Sequence, residues 1–219
     1  MRYTILLLCT AATHLLAQSG GWQMLFNGKD LTGWRANVDP DSFKVQNGAI
    51  RVQASGKVRS HLFFVGDREQ GFEKFKNFEL EAVVRAEPDS NSGIFVHTDM
   101  TERDAARHLA NGYEVQLNSS EKEKRKTGSL YDVVDLDKSP VDEAHWFTVR
   151  IIVIDKTITV ALDDQKVIDY TEPPDVKRPH DRSGRLFSID GGAIALQAHD
   201  PKSVWYFSEI RVKRLPSAQ

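Results

Sequence analysis

Two stretches of alternating sequence indicate the fold of this chain. Residues 112–117 read Gly112-Tyr113-Glu114-Val115-Gln116-Leu117, and residues 195–200 read Ala195-Leu196-Gln197-Ala198-His199-Asp200. Apolar and polar residues alternate in both, which is the period of a β-strand whose two faces meet different surroundings. The predicted core-facing residues are Tyr113, Val115, Leu117 and Leu196. Glu114 and Gln116 share the opposite face of one strand, and Gln197 and His199 share one face of the other.

The polar faces of these strands hold side chains that can bind a ligand or transfer protons. Amides bind hydroxyls, and a carboxylate or an imidazole can move protons. Glu114 is the best acid or base candidate, because partial burial would raise its pKa. The alternative for Glu114 is an exposed strand glutamate paired with a lysine, and for His199 it is a surface or structural histidine. The pattern favours a polyol-binding surface.

Further strands are predicted along most of the chain, with Gly, Asp and Pro between segments spaced about ten residues apart. The segments are residues 50–52, 62–65, 78–85, 92–97, 146–154, 158–162, 166–170 and 204–215. Asp163-Asp164 predicts a two-residue hairpin turn. Residues 101–109 could form one short helix or turn at most. The spacing predicts an all-β sandwich or jelly roll.

Composition and the N-terminus limit the protein class. The chain has 219 residues, 40% hydrophobic and 27% charged, with a net charge of −2. These values fit one globular domain and give no case for a nucleic-acid partner. Residues 1–17 are predicted to be a signal peptide and residues 18–219 a single domain, although a buried N-terminal strand is the alternative.

Processing at Ala17 would remove Cys9, the only cysteine. The mature chain would then have no disulfide, thiolate–zinc site or thiol nucleophile. It would also have no transmembrane segment. A periplasmic or secreted bacterial protein is therefore expected, and the oligomeric state stays open.

Common catalytic motifs are absent from the sequence, among them the phosphate-binding loop, the dinucleotide fingerprint and the Gly-x-Ser-x-Gly elbow. Trp34, in a loop opened by Gly33, and Tyr131 are candidates for stacking on a sugar face. The carboxylates of residues 132–137 could hold a hard metal ion, but a polar loop is the more common outcome.

Several motifs together resemble the 3-keto-disaccharide hydrolase family, also described as a 3-keto-glucoside 1,2-lyase and 3-keto-2-hydroxy-glucal hydratase domain. They are residues 25–34 (Leu-Phe-Asn-Gly-Lys-Asp-Leu-Thr-Gly-Trp), 91–95 (Asn-Ser-Gly-Ile-Phe), 112–116, 127–131 (Thr-Gly-Ser-Leu-Tyr), 194–199 and 207–215. The resemblance implies a concanavalin A-like lectin/glucanase jelly roll of two antiparallel sheets. It also implies exported bacterial enzymes that act on small glycosides oxidised at C3.

The implied reaction needs a base at C2, an acid at the departing oxygen and a group that stabilises an enolate. Glu114 or His199 could be the base, and Tyr131 or His97 the acid. Gln116 and Gln197 could bind hydroxyls or the enolate oxygen. No cofactor is firmly implied, although a divalent metal on His97, Glu114 and His199 could stabilise the enolate instead.

Two other functions are weighed against this enzyme. A non-catalytic carbohydrate-binding module of the same fold is the first. An ordinary glycosidase is the second, and it is disfavoured because Gln116 and Ser119 replace two carboxylates of the Glu-x-Asp-x-x-Glu pattern. The enzyme is favoured if Glu114 and His199 face one cavity with shifted pKa values, and the binding module if only aromatic rings line the surface.

Overall fold

Two antiparallel β-sheets pack face to face in the computed structural model, which describes residues 21–218. The predicted signal peptide, with Cys9 and its cleavage after Ala17, lies outside the described residues. Thirteen strands occupy the described range: β1 (Trp22–Met24), β2 (Trp34–Ala36), β3 (Phe43–Gln46), β4 (Ala49–Val52), β5 (Ser60–Phe64), β6 (Phe78–Ala86), β7 (Asn91–Thr98), β8 (Tyr113–Asn118), β9 (Phe147–Ile154), β10 (Thr157–Leu162), β11 (Gln165–Thr171), β12 (Ala193–Ala198) and β13 (Trp205–Arg214).

The two sheets differ in size. The large sheet has the strand order β11-β10-β9-β6-β13-β4-β3, with β1 added beside β13. The small sheet has the order β2-β5-β12-β7-β8. Helical structure within residues 21–218 is limited to the 3₁₀ turns Pro40–Ser42 and His180–Arg182. In this part of the chain no helix has the length and apolar character needed to cross a membrane. The predicted all-β sandwich is confirmed.

The core lies between the sheets, and the strand period explains it. In β9, Phe147, Val149, Ile151 and Val153 are buried while the residues between them are partly exposed. The four residues predicted from residues 112–117 and 195–200 to face the core belong to the same cluster. Burial of each large apolar side chain contributes about 1.5–3 kcal/mol to folding.

The small sheet is buried on its outer face as well, away from the large sheet. Phe63, Phe95 and Ala195 form a second apolar cluster there with Leu109, which comes from the loop between β7 and β8. All six residues of β8 are consequently buried. Glu114 and Gln116 therefore lie beneath loops and not on an open surface.

The structure tests the turn predicted at Asp163-Asp164 and the short helix or turn predicted at residues 101–109. Asp163 and Asp164 connect β10 to β11, and both have positive φ, 44° and 66°, as a two-residue hairpin requires. This prediction is confirmed. The segment of residues 101–109 forms a turn and not a helix, since Glu102 and Leu109 form an antiparallel bridge across it.

Candidate active site

Four adjacent strands of the small sheet, β5, β12, β7 and β8, contribute one residue each to a row across its outer face. Gln197 in β12 pairs with His61 in β5, and Gln116 in β8 pairs with Gly93 in β7. Because β7 lies between β12 and β8, Gly93 falls between the two glutamines. Glycine has no side chain, so the row has a hollow at its centre.

A pocket lies over this row, with about 290 Å³ of unfilled space when the part open to solvent is included. Its lining residues are Arg59, Asn91, Arg103, His108, Glu114, Gln116, Tyr131, Arg185, Gln197 and His199. Five of the seven site residues predicted from the sequence are among them. The cavity volume is about 30 Å³, well below the range of about 300–1,000 Å³ for small-molecule sites, so a sugar must also occupy the open space beside the pocket or displace lining side chains.

Glu114 is the buried carboxyl group of the pocket. Its side chain is 7% exposed, and its Oε2 accepts a hydrogen bond from Nη2 of Arg185 at 3.1 Å. Burial raises the pKa of Glu114, and the charges of Arg185 and Arg59 oppose that rise. A raised pKa makes the carboxylate a stronger base.

Arg185 is held in place by a close backbone approach. Gly112 N–H donates to the carbonyl oxygen of Gly184 at 2.9 Å. A Cβ atom at Gly184 would lie 2.3 Å from the carbonyl oxygen of Ala110, so only glycine fits there. Nε of Arg178 donates to the Arg185 carbonyl oxygen at 3.0 Å. The guanidinium group is therefore fixed beside Glu114 before a ligand binds.

His199 is bonded at both ring nitrogens. Nη2 of Arg59 lies 2.7 Å from its Nε2, and Oδ2 of Asp200 lies 2.8 Å from its Nδ1. Arginine only donates and a carboxylate only accepts, so Nε2 is the acceptor and Nδ1 carries the hydrogen. Burial lowers the pKa of His199, and Arg59 lowers it further. His199 is therefore neutral and has no ring nitrogen left for a substrate.

Tyr131 forms one wall of the pocket. Its backbone N–H donates to the carbonyl oxygen of Glu114 at 2.9 Å, which places the two residues side by side. The guanidinium carbons of Arg125 and Arg182 lie 4.6 Å and 5.9 Å from the centroid of its ring. Burial and nearby Glu123 raise the pKa of the Tyr131 hydroxyl. The hydroxyl thus stays protonated.

Pocket-lining residues also carry buried polar atoms that no described residue satisfies. They are Oε1 of Gln116, Oε1 of Gln197, Nε of Arg59 and Nε of Arg185. Nε2 of Gln116 donates to Oδ1 of Asn91 at 3.0 Å, which sets the orientation of that amide. An unmatched buried polar group costs about 1–3 kcal/mol. These atoms have almost no accessible surface, so a ligand rich in hydroxyl groups would satisfy them once the neighbouring side chains move aside.

Two of the residues predicted to be in the site lie elsewhere. His97 has a φ of 53°, leaves the strand alternation, and packs its ring against Phe78 and Phe187. Its Nε2 donates to a backbone carbonyl at 2.8 Å. Trp34 is buried in the core, where its Nε1 donates to the carbonyl oxygen of Leu25 at 2.7 Å. The expectation that Trp34 offers an open ring face to a sugar is wrong, because the turn at Gly33 directs the ring inward.

The suggested metal on His97, Glu114 and His199 does not fit this arrangement. His97 is outside the pocket, both ring nitrogens of His199 are bonded, and Glu114 faces the positive charge of Arg185. Divalent cations prefer sites where anionic ligands converge, and here guanidinium groups surround the carboxylate. No step of the chemistry is assigned to a metal.

The aspartates of residues 132–137 are also engaged with cations. Asp132 bonds to Arg125 at 2.5 Å and to Arg182 at 2.8 Å, and Asp135 bonds to Arg125 at 3.1 Å. Within residues 21–218 no three His, Cys, Asp or Glu side chains are grouped so that they could hold a metal ion. Residues 132–137 therefore form a polar loop, which is the alternative to a metal site given by the sequence.

Sequence reasoning missed half of the pocket, namely Arg59, Asn91, Arg103, His108 and Arg185. Asn91 was present in a family motif, so that motif could have indicated it. The three arginines and His108 lie in loops without a strand period, where no spacing relates them to Glu114. The close pair Gly184-Arg185 was the one local signal, since glycine permits a close backbone approach.

Comparison with known proteins identifies relatives in sequence and in fold. The sequence model of the 3-keto-alpha-glucoside-1,2-lyase-like domain matches residues 21–213. A 3-keto-disaccharide hydrolase of Bacteroides thetaiotaomicron is 26% identical over 177 residues, covering 72% of this chain and 61% of the relative. The chain thus spans less than two thirds of that relative's length.

Solved structures share the fold at lower identity. A protein of Parabacteroides distasonis ATCC 8503, provisionally designated a glycosyl hydrolase, has a TM-score of 0.68 at 22% identity, covering 90% of this chain and 94% of the other. Carbohydrate binding module CBM66 of Bacillus subtilis has a TM-score of 0.55 at 14% identity, covering 83% and 96%. The predicted jelly-roll class is confirmed. With the match across residues 21–213, the chain belongs to the 3-keto-alpha-glucoside-1,2-lyase-like domain family.

Proposed function

We propose that this protein cleaves glycosides whose sugar carries a ketone at C3, by elimination followed by addition of water. The observation that carries this proposal is the buried Glu114 carboxyl group. It shares one pocket with the guanidinium groups of Arg59 and Arg185 and the amides of Gln116 and Gln197. This set supplies a base, positive charge and hydroxyl-binding groups in one place.

The chemistry follows from the ketone. A carbonyl group at C3 acidifies the hydrogen on C2, because the electron pair left at C2 spreads onto the ketone oxygen as an enolate. When the enolate collapses, the bond between C1 and the glycosidic oxygen breaks and a double bond forms between C1 and C2. Water then adds at C1, and C2 regains a proton. The net result is hydrolysis.

The pocket residues divide these tasks. Glu114 is the base at C2, since His199 has its Nε2 bonded to Arg59. Arg59 and Arg185 stabilise the negative enolate oxygen in a site with little water, where such charge interactions are strong. Gln116 and Gln197 bind the sugar hydroxyls through their free amide oxygens.

An assay in D₂O tests the reaction. Purified protein is incubated with 3-keto-trehalose, and the expected product is 3-keto-glucose with one deuterium at C2. Direct displacement at C1 would leave C2 unlabelled, and product incubated without protein corrects for spontaneous exchange. Trehalose itself should not be cleaved, the Glu114→Gln variant should be inactive, and a chelator should have no effect.

The second candidate is a carbohydrate-binding module, which the likeness to CBM66 supports at the level of the fold. Calorimetry separates the two functions. If the protein binds 3-keto glycosides with several aglycones but releases no free sugar from any of them, it is a binding module and not an enzyme.

Export is a further part of the proposal. It rests on the apolar segment of residues 4–16 and on Ala17 as the processing site. Expression of the full chain in a bacterium, followed by fractionation and N-terminal sequencing, tests it. A mature protein that begins near Gln18 in the periplasm or medium is expected, whereas an intact Met1 in the cytoplasm would contradict it.

A further inference from the structure

A wider groove adjoins the pocket around Glu114, since the two share lining residues. The groove has a volume of about 1,360 Å³, including space open to solvent. It is formed by the loop between β7 and β8 on one side and residues 180–186 on the other. His108 and Arg103 line both the pocket and the groove. A ligand that fills both spaces must pass these two side chains.

The backbone around His108 is fixed. Arg103 N–H donates to the carbonyl oxygen of His108 at 2.9 Å. The adjacent Leu109 is fully buried on the outer face of the small sheet, against the cluster that contains Phe95. The short loop is therefore anchored, and His108 is held at the boundary between the pocket and the groove.

The imidazole of His108 has one occupied and one free nitrogen. Its Nδ1 lies 2.9 Å and 2.7 Å from the two carboxylate oxygens of Asp104, so Nδ1 carries a hydrogen. Its Nε2 has no hydrogen-bond partner among residues 21–218, and the ring is partly exposed. His199 differs, because Arg59 is bonded to its Nε2. Of the two histidines in the pocket, His108 is the one that can reach a substrate atom.

We propose that His108 exchanges a proton with the glycosidic oxygen and that the wider groove holds the leaving group. This inference rests on the proposed function, because it assigns the second proton-transfer group of that reaction. The reacting sugar lies against Glu114, the leaving group lies in the groove, and the oxygen that joins them passes His108.

The proton balance of the two half-reactions is complete with these residues. In the elimination, Glu114 takes the C2 proton, and the departing oxygen takes the bond electrons and a proton from Nε2 of His108. In the hydration, Nε2 accepts a proton from the water that attacks C1, and Glu114, whose proton has exchanged with solvent, protonates C2. Both groups end in their starting states.

Electrostatic effects act on His108 in opposite directions. Burial and the charges of Arg59 and Arg103 lower the pKa of His108, while Asp104 stabilises the imidazolium form that donates the proton. A lowered pKa reduces the fraction of His108 that is protonated but makes that imidazolium a stronger acid. Tyr131 is less suited, since its hydroxyl pKa is raised and its hydroxyl points to Glu123 at 3.4 Å.

The dependence on the leaving group tests the proposal. The sugar released from 3-keto-trehalose needs a proton as it departs, whereas nitrophenolate leaves without one. The His108→Gln variant should lose about 10²–10⁴-fold in kcat/KM on 3-keto-trehalose. On the 3-keto 4-nitrophenyl glucoside, the loss should be less than about tenfold, because an acid contributes little there.

His145→Gln is the matched control. His145 also bonds through Nδ1 to an aspartate, Asp142 at 3.0 Å, but it is exposed and outside the pocket. The His145→Gln variant should cleave both substrates at the rates of the parent protein. If thermal melting shows His108→Gln to be unfolded, Asp104→Asn replaces it, with the same selective loss expected.

Two results would overturn the inference. Equal loss on both substrates would make His108 structural, and no loss on either would remove it from the reaction. Failure of the unaltered protein on both substrates is a different outcome, because it rejects the proposed function itself.

Discussion

Gly93 and Glu114 occupy adjoining space on the outer face of the small sheet. A Cβ atom at position 93 would lie 2.7 Å from Oε1 of Glu114 and 3.0 Å from its Cγ. The first distance is shorter than real Cβ contacts, and the second is unusually tight. The carboxyl group can lie over β7 only because residue 93 has no side chain.

The Gly93→Ala variant should therefore move the Glu114 carboxyl group without unfolding the protein, since the clash is with the end of a flexible side chain. We expect a loss of about 100-fold in kcat/KM, because a misplacement near 1 Å has that effect. Chemical denaturation should change by less than about 1 kcal/mol, as a tolerated side-chain shift costs about that much. Gly56→Ala, which meets only an ordinary contact at 3.7 Å, is the control. Unchanged activity in Gly93→Ala would argue against Glu114 as the base.

Removal of Arg185 should shift the pH dependence of activity. The positive charge of Arg185 holds down a Glu114 pKa that burial raises. In Arg185→Met the pKa of Glu114 should rise further. A base works only when deprotonated, so the acidic limb of the kcat/KM profile should move to higher pH. The control is Arg68→Met, which removes an exposed ion pair with Glu73 and should leave the acidic limb of the profile unchanged. If the acidic limb did not move in Arg185→Met, another group would be the base.

His199 should be neutral at pH 7, with its hydrogen on Nδ1, because Arg59 donates to Nε2 and Asp200 accepts from Nδ1. Its ring ¹⁵N chemical shifts measure this directly. Arg59→Met removes a cation that lowers the pKa of His199, so the midpoint of its titration should move to higher pH. A His199 that titrates identically in both proteins would show that the Arg59 contact is not maintained in solution.

Burial of His61 should make folding stability fall in acid. Both ring nitrogens of His61 are buried without partners, and burial lowers its pKa to about 3. In the unfolded chain the imidazole has a pKa of about 6.5, so acid protonates the unfolded state first. Between pH 7 and pH 5 this residue should cost about 2 kcal/mol of unfolding free energy.

Urea denaturation at the two pH values measures this cost. The His61→Leu variant cannot take up the proton, so its loss of stability on acidification should be smaller by about 2 kcal/mol. His145→Leu, at an exposed position, is the control variant. Equal acid losses in the parent and in His61→Leu would mean that His61 is solvated in solution.

Alternation along the chain determined which side of each strand faces the core. Tyr113, Val115 and Leu117 are buried between the sheets, and Glu114 and Gln116 are on the opposite face. The two-residue turn at Asp163-Asp164 was equally readable, because its backbone conformation depends on neighbouring residues alone. These predictions were possible because a strand period and a short turn are local properties.

Trp34 shows where local reasoning failed. Gly33 correctly marked a turn. The direction of the Trp34 ring after that turn depends on its packing partners, however, and these are Phe64 and the carbonyl oxygen of Leu25 inside the core. His97 failed for a similar reason, since its positive φ takes its side chain out of the strand alternation. The residues that follow and precede Trp34 and His97 in the sequence do not indicate either side chain's packing.

The sequence by itself determined an all-β chain with two polar strand faces, one that carries Glu114 and Gln116 and another that carries Gln197. Only the tertiary structure placed the two faces side by side and decided what surrounds them. Arg59, His108 and Arg185 come from three loops far apart in the chain, and the order of strands in the small sheet brings them to one pocket. Loop residues have no periodicity that relates them to one another, so the charge around Glu114 and the free nitrogen of His108 follow from packing alone.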